Sequence, residues 1–168
     1  MGRHLHNYGF EVHLYLCANP SYPAESESNI QLEIIRRMRL PLTVLEPGAI
    51  GETIHPGLSG HHEFPRGRKP SRGTQIDALF GTGLSRPIRA PYSEAIAALN
   101  ASDGPTIALD VPSGPDADTG AVHGVAVEAR ETITFAAPKI GFGHGDGPRL
   151  CGHVHVVDIG LPREIWDV

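Results

Sequence analysis

The sequence has few cysteines and no long run of apolar residues. Two cysteines, Cys17 and Cys151, cannot build a disulfide framework, and the absence of a Cys-x-x-Cys pair argues against zinc and dithiol redox chemistry. No apolar stretch approaches the ~20 residues that cross a bilayer, and the polar first residues do not form the apolar core of a secretory signal. We therefore expect a cytoplasmic protein with two buried, reduced thiols and no membrane partner.

Basic residues are also scarce relative to acidic ones. The chain has 14 Lys and Arg against 19 Asp and Glu, which gives a formal net charge of −5. Nucleic-acid binding requires clustered positive charge to neutralise phosphates. The basic cluster formed by Arg66, Arg68, Lys69 and Arg72 lies in a stretch rich in proline and glycine, which is typical of a solvated loop. We therefore expect no nucleic-acid partner.

Several common catalytic motifs are absent. The glycine-rich stretch 141–147 has Asp146 where a GxGxxG dinucleotide fingerprint requires its last glycine, and His153 stands where a P-loop requires lysine. No GxSxG nucleophile elbow occurs. An ordinary nicotinamide dehydrogenase is therefore disfavoured. His153 and His155 share one face of a predicted strand, and we interpret them as surface histidines rather than metal ligands.

The sequence does contain an alternation of strand-like and helix-like segments. Runs rich in strand-forming residues predict strands at 10–17, 40–45, 76–80, 106–111, 131–135 and 153–159. Apolar residues at helical spacing predict helices at 29–38, after the capping candidates Ser26 and Ser28, and at 91–100. This alternation is typical of a parallel sheet. We predict one α/β domain over residues 1–168, a Rossmann-like three-layer αβα sandwich with a mostly parallel sheet.

The chain starts with the end of a helix rather than with a strand. Residues 2–8, followed by Gly9, predict the last turns of a helix closed by a glycine. In a βαβ sheet such a helix follows a strand and a phosphate-binding loop. We therefore expect the domain to lack its first strand and loop. Further along, residues 46–73 are dense in Gly, Pro and His and predict a loop.

Polar residues follow three of the predicted strands, at the edge of the sheet where open α/β proteins bind ligands. In the first group, Asp77 lies inside an apolar strand, where a carboxylate must be paired or must bind a cation. Residues 81–83 are small enough to let backbone N–H groups approach a phosphate, and Arg86 is suited to pair with it. Alternatively, Asp77 anchors a turn.

The second group follows the strand 106–111. Asp110 lies at its end among apolar neighbours, a setting suited to a general acid or base. The turn formed by Pro112, Ser113 and Gly114 offers hydroxyl and carbonyl oxygens suited to a hard cation. Asp116 and Asp118 are interpreted as turn residues.

The third group is Lys139, which follows the strand 131–135 and faces either the same crevice or solvent. The groups occur in the segments DALFGTGLSRP (77–87), ALDVPSGPDADTG (108–120) and TITFAAPKIG (132–141), followed by VVDIGLP (156–162). In this order and spacing they resemble the YjeF-type N-terminal domain, the NAD(P)HX epimerase family. The resemblance covers residues 3–162.

The resemblance implies a potassium ion and a nucleotide site. Asp77 and Ser113 correspond to potassium ligands, with the Val111 carbonyl as a further oxygen. Asp110 corresponds to the acidic catalytic residue that faces the hydrated nicotinamide ring, and Lys139 is assigned to the substrate site. The nucleotide-contacting loop corresponds to Gly81, Thr82, Gly83, Leu84, Ser85, Arg86 and Pro87.

The resemblance also implies a reaction, the interconversion of the R and S forms of NADHX and NADPHX, the hydrates of the reduced cofactors. The expected partners are this substrate, an NAD(P)HX dehydratase that acts on the product, and a second copy in a homodimer. The family has an Asn- and Gly-rich loop before the helix that ends in Arg-His-Leu, and this sequence starts after that loop. We therefore expect one potassium ligand and a nucleotide-binding stretch to be absent. The alternative function is a non-catalytic nucleotide-binding or protein-interaction remnant.

Overall fold

The computed structural model describes residues 1–17, 23, 25–51, 53–54, 73–84, 86–162 and 164. The elements in chain order are α1 (Gly2–Asn7), β1 (Leu14–Leu16), α2 (Glu27–Arg37), β2 (Leu42–Val44), β3 (Gln75–Asp77), α3 (Tyr92–Ala101), β4 (Thr106–Leu109), β5 (Glu131–Phe135), α4 (Gly147–Leu150) and β6 (His153–Val157). A 3₁₀ turn, Ile140–Gly143, follows β5. None of the described helices has the length and apolar character needed to cross a membrane.

The strands form two parallel sheets. β1 pairs with β2, and the order β3-β4-β5-β6 forms the second sheet. Ile133 of β5 aligns with Leu109 of β4 on one side and with His155 of β6 on the other. Parallel strands have their carboxyl ends at the same edge, so the segments that follow β3, β4 and β5 are neighbours. The α/β prediction with a mostly parallel sheet is confirmed.

The starts and ends of the first helices follow from local capping. α1 ends at Tyr8, and Gly9 takes a φ of +89°, as predicted for a glycine that closes a helix. α2 begins after Ser26, whose Oγ accepts a hydrogen bond of 3.3 Å from Asn29 N. Of the two predicted capping residues, Ser26 is therefore the one used.

Several predicted boundaries are wrong. The first strand starts at Leu14 rather than at residue 10, and Phe10 is 61% exposed. The stretch predicted as a loop has helical backbone at residues 50, 51, 53 and 54, because Ile50 and Ile54 are buried in the core. The rest of that stretch, from 55 to 72, lies outside the described residues. The short helix α4 was not predicted, because four residues do not display a helical period.

One face of the four-stranded sheet is buried and the other is largely open. Asp77, Ala108 and Thr132 are aligned on the buried face and are at most 1% exposed. On the opposite face, Ile76 is 37% exposed and Val157 is 41% exposed. Residues 107, 109, 133 and 135 are half-buried on that same open face. The candidate site residues lie at the edge of this sheet where β3, β4 and β5 end.

A core cluster packs the first sheet against α3. The cluster includes Cys17 and Leu45, which follow β1 and β2, and Ala95 and Ala98 of α3. Leu79, just after β3, packs on the same cluster. The segments that follow β1 and β3 therefore share one core.

Candidate active site

Asp77 and Ser113 form a buried pair that joins the ends of β3 and β4. The Ser113 hydroxyl donates to Asp77 Oδ1 at 2.7 Å, and the Ser113 backbone N–H donates to Asp77 Oδ2 at 2.7 Å. Leu79 N adds a third hydrogen bond of 3.2 Å to Oδ1, and Phe80 N donates to Ser113 Oγ at 3.0 Å. The structure therefore brings the two predicted potassium ligands into direct contact.

The Asp77 carboxylate has no positive side chain beside it among the described residues. Burial raises its pKa above the usual range, while the hydrogen bonds from Ser113 and Leu79 act in the opposite direction. Burial raises the pKa of the neighbouring Cys17 thiol to about 11, and a negative charge on Asp77 adds to this increase. Asp77 is thus a buried carboxyl group that accepts three hydrogen bonds and has no positive partner among the described residues.

Asp110 follows β4 with its backbone in a left-handed conformation, at a φ of +68°. Non-glycine residues rarely adopt this conformation, and those that do cluster at functional sites. Oδ1 of Asp110 accepts hydrogen bonds from the Lys139 ammonium at 2.9 Å and from the Thr134 hydroxyl at 3.4 Å. Oδ2 has no hydrogen-bond partner in the described chain, and a Cβ placed on Gly81 would lie 3.5 Å from it. One carboxylate oxygen is held, and the other faces the loop that follows β3.

That loop presents backbone donors that have no acceptor among the residues that the structure describes. No hydrogen bond from the N–H groups of residues 81–84 reaches any residue that the structure describes, and residues 81–83 are exposed. Arg86 is exposed as well and forms no ion pair within the described ranges. Backbone N–H groups without a described acceptor, followed in the sequence by an arginine without a described ion pair, are suited to an anion such as a phosphate. Ser85, predicted to belong to this loop, lies outside the described residues, and Pro87 is exposed.

The loop after Ser113 is built around Asp116, as the sequence suggested. Asp116 Oδ1 accepts hydrogen bonds from Asp118 N, Thr119 N and the Thr119 hydroxyl at 3.0, 2.8 and 2.9 Å. These donors, those of Thr119 above all, lower the pKa of the Asp116 carboxyl. The interpretation of Asp116 as a turn residue is confirmed.

The structure brings several of the predicted site residues together. Asp77 with Ser113, and Asp110 with Lys139, are brought together as pairs, and Gly81 lies beside Asp110. The contribution of Thr134 was missed. Thr134 lies at an inward-facing position of a predicted strand. A buried hydroxyl there needs a hydrogen-bond partner, and this need was the signal available in the sequence. Within the described part of the chain, no group of three or more His, Cys, Asp or Glu residues is arranged to hold a metal ion.

Comparison with known proteins relates this geometry to a family. The family described as YjeF-related protein N-terminus matches residues 1–141. The crystal structure of yeast ynu0 has the same fold, with a TM-score of 0.69 and 19% identity over 99% of this chain and 62% of that one.

Relatives with closer sequences have names that refer to hydrated nicotinamide nucleotides. A bifunctional NAD(P)H-hydrate repair enzyme of Salinibacter ruber is 38% identical over 99% of this chain and 30% of its own length. An NAD(P)H-hydrate epimerase of Rhodopirellula baltica is 34% identical over 98% of this chain and 61% of its own length. The chain thus spans less than two thirds of these relatives. The family match, which extends over most of the residues, nevertheless shows that the chain belongs to the family of YjeF-related N-terminal domains.

Proposed function

We propose that this chain interconverts the R and S forms of NADHX and NADPHX, and is therefore an isomerase that acts in the repair of nicotinamide nucleotides. The observation that supports this most directly is Asp110. Its Oδ1 is fixed by Lys139, and its Oδ2 lies beside Gly81 without a hydrogen-bond partner among the described residues, next to a loop whose backbone donors reach no described acceptor. An acid/base group thus lies next to a site suited to a phosphate-bearing ligand.

Residues 81–87 form the nucleotide site in this proposal. The N–H groups of residues 81–84, which donate to no described residue, bind phosphate oxygens, and Arg86 adds a charge-assisted contact. The absence of a side chain at Gly81 leaves room for the nicotinamide ring beside Asp110 Oδ2. Phosphate binding then fixes the position of the ring relative to the carboxylate.

The chemistry needs one group that both delivers and removes a proton. The stereocentre of the hydrate carries a hydroxyl next to the ring nitrogen. Loss and return of that hydroxyl, or opening and closing of the ring, inverts the centre. Loss of the hydroxyl requires a proton on the departing oxygen, and a proton is removed from the attacking water when the C–O bond re-forms. Ring opening instead requires removal of the hydroxyl proton and protonation of the departing ring nitrogen as the C–N bond breaks, and both transfers are reversed when the ring closes. Asp110 Oδ2 is the group that performs both transfers in our proposal.

A potassium ion beside Asp77 and Ser113 forms the third part of the proposal. The residues present fit a hard monovalent cation, because Asp77 is a buried carboxylate without a described positive partner and Ser113 adds a hydroxyl oxygen. The Val111 carbonyl is a further oxygen on the same turn. When bound, the ion would supply positive charge beside the buried Asp77 carboxylate.

The chemical partners follow from the same reaction. The substrate is a hydrated nicotinamide nucleotide, and an NAD(P)HX dehydratase consumes one of the two epimers. The name of the Salinibacter ruber relative describes a bifunctional repair enzyme, which supports a second activity on the same hydrates. Because the two activities act in sequence, epimerisation lets the dehydratase use both forms.

A coupled assay tests the proposal. A mixture of NADHX epimers is incubated with a dehydratase specific for the S form, and consumption of the R form is followed with and without the chain. We expect the chain to accelerate this consumption. Gly81→Leu, which fills the space beside Asp110 Oδ2, should remove most of the acceleration, whereas Gly143→Leu, at an exposed position with open space around it, should retain it. R-form consumption at the rate without protein would instead support the non-catalytic alternative.

A further inference from the structure

The Lys139 ammonium has all three of its N–H donors occupied. It contacts Asp110 Oδ1 at 2.9 Å, the carbonyl oxygen of Phe135 at 3.0 Å and the carbonyl oxygen of Ala137 at 3.3 Å. A lysine ammonium has three donors and no acceptor, so these contacts use its full capacity. The side chain is 19% exposed and that of Asp110 is 25% exposed. Lys139 is therefore a bonded part of the protein rather than a free cation that awaits a ligand.

The same ammonium connects two left-handed backbone positions. Asp110 after β4 has a φ of +68°, and Ala136 after β5 has a φ of +67°. Residues with a Cβ hold such a conformation only when their surroundings impose it. Lys139 bonds to the side chain of Asp110 and to the carbonyl groups on both sides of Ala136. One side chain thus ties together both turns that shape the edge of the site.

The hydrogen bonds from Lys139 and Thr134 determine which carboxylate oxygen of Asp110 faces the loop after β3. Lys139 and Thr134 both contact Oδ1, and Oδ2 is the oxygen left beside Gly81. Without the ammonium, the Thr134 contact of 3.4 Å is the remaining side-chain hydrogen bond to the carboxylate. The carboxylate would then rotate more freely, and Oδ2 would face the loop for a smaller fraction of time.

We propose that Lys139 is a positioning residue, which holds the Asp110 carboxylate and the Ala136 turn so that Oδ2 faces the nicotinamide ring. This inference rests on the function proposed above and differs from a direct contact between Lys139 and the substrate. A positioning role acts on turnover, whereas a direct contact acts on binding. The two roles therefore predict different kinetic changes.

Lys139→Met tests the positioning role, because methionine keeps most of the side-chain volume and removes the charge and the donors. We expect kcat to fall about 100-fold, as for a misplaced catalytic group, with KM changed less than about twofold. Lys139→Arg should recover only part of the loss, since a planar guanidinium does not reproduce the three bond directions.

A chemical rescue and a control variant complete the test. Adding ethylammonium to Lys139→Ala should increase the kcat of that variant. Arg36→Met, which removes a cation from an exposed ion pair with Glu33, is the matched control and should behave as wild type. A large rise in KM with unchanged kcat, or no change in either constant, would overturn the proposal.

A second measurement does not depend on turnover. Melting temperatures of Lys139→Met, Asp110→Asn and the double variant form a double-mutant cycle. We expect Lys139→Met to lower the melting temperature less in the Asp110→Asn background than in wild type. Additive changes would contradict the positioning bond. If the wild-type chain does not epimerise NADHX, the function proposed above fails, and this cycle still decides whether Lys139 holds Asp110.

Discussion

At the scale of single residues, two carboxylates at neighbouring strand ends have opposite surroundings. Asp77 is buried, and three hydrogen bonds from Ser113 and Leu79 satisfy it. Asp110 is partly exposed and paired with Lys139 through one oxygen, and its other oxygen has no hydrogen-bond partner in the described part of the chain. The first arrangement is suited to holding a cation, and the second is suited to proton transfer. In our proposal, the surroundings of the two carboxylates, rather than the residue type, determine the two roles.

The buried Asp77 carboxylate makes stability depend on pH. Its folded pKa is raised above the unfolded value of about 3.9, so the folded state binds more protons over that interval, and stability falls as pH rises through it. A potassium ion beside the carboxylate would offset this fall. We predict that the melting temperature decreases more steeply with rising pH in tetramethylammonium buffer than in potassium buffer, as followed by circular dichroism.

Asp77→Ala provides the control for this cation effect. Because the variant has no carboxylate to neutralise, its melting curves should be the same in the two buffers at every pH. Equal curves for wild type in the two buffers would show that Asp77 anchors a turn and binds no cation.

At the scale of secondary structure, the sequence predicted elements whose signals are local. The capping serine of α2 and the closing glycine of α1 act through hydrogen bonds and φ values within a few residues, so their pattern is visible in the chain. The helix α4 and the helical backbone after Ala49 were missed or mistaken for loop, because they are short and packing stabilises them. The same limit applies to Lys139: its contact with Asp110 joins residues that are far apart in sequence.

The Ser26 cap provides a test at this scale. Ser26→Ala removes the acceptor of the Asn29 N–H and should lower the free energy of unfolding by about 1 kcal/mol, as measured by urea denaturation. Ser28→Ala is the matched control. Ser28 lies inside α2 and is exposed, so alanine there should leave stability unchanged or raise it by a few tenths of a kcal/mol. Equal losses in the two variants would show that Ser26 does not cap the helix.

At the scale of the whole molecule, the parallel pairing and the position of the site at the strand ends were predictable, because alternation of strands and helices fixes both. The division of the described strands into two sheets has no local signal, since it depends on which strands become neighbours. The open face of the second sheet is a consequence of that arrangement. Parallel sheets are normally covered on both faces, and Ile76 and Val157 here are more than one third exposed.

This open face predicts self-association of the purified chain. Contact between two copies would cover the apolar side chains of β3 to β6, in keeping with the homodimer that the family resemblance suggested. Val157→Lys places a charge on this face and should weaken association about tenfold or more, as measured by sedimentation equilibrium. Val44→Lys, at a 38% exposed position of β2 in the other sheet, is the control and should leave association unchanged. A wild-type chain that stays monomeric at all concentrations would contradict this prediction.

Asp110 is the proposed acid/base group of the epimerisation, and its role can be measured with one separated epimer and no coupling enzyme. The R form of NADPHX is incubated with the chain, and appearance of the S form is followed by chromatography. We predict equilibration faster than in buffer alone for wild type. We also predict a rate about 100- to 10,000-fold lower for Asp110→Asn, as expected when a general acid/base is removed, with an unchanged circular dichroism spectrum. Wild-type equilibration at the buffer rate, or Asp110→Asn equilibration at the wild-type rate, would contradict the account.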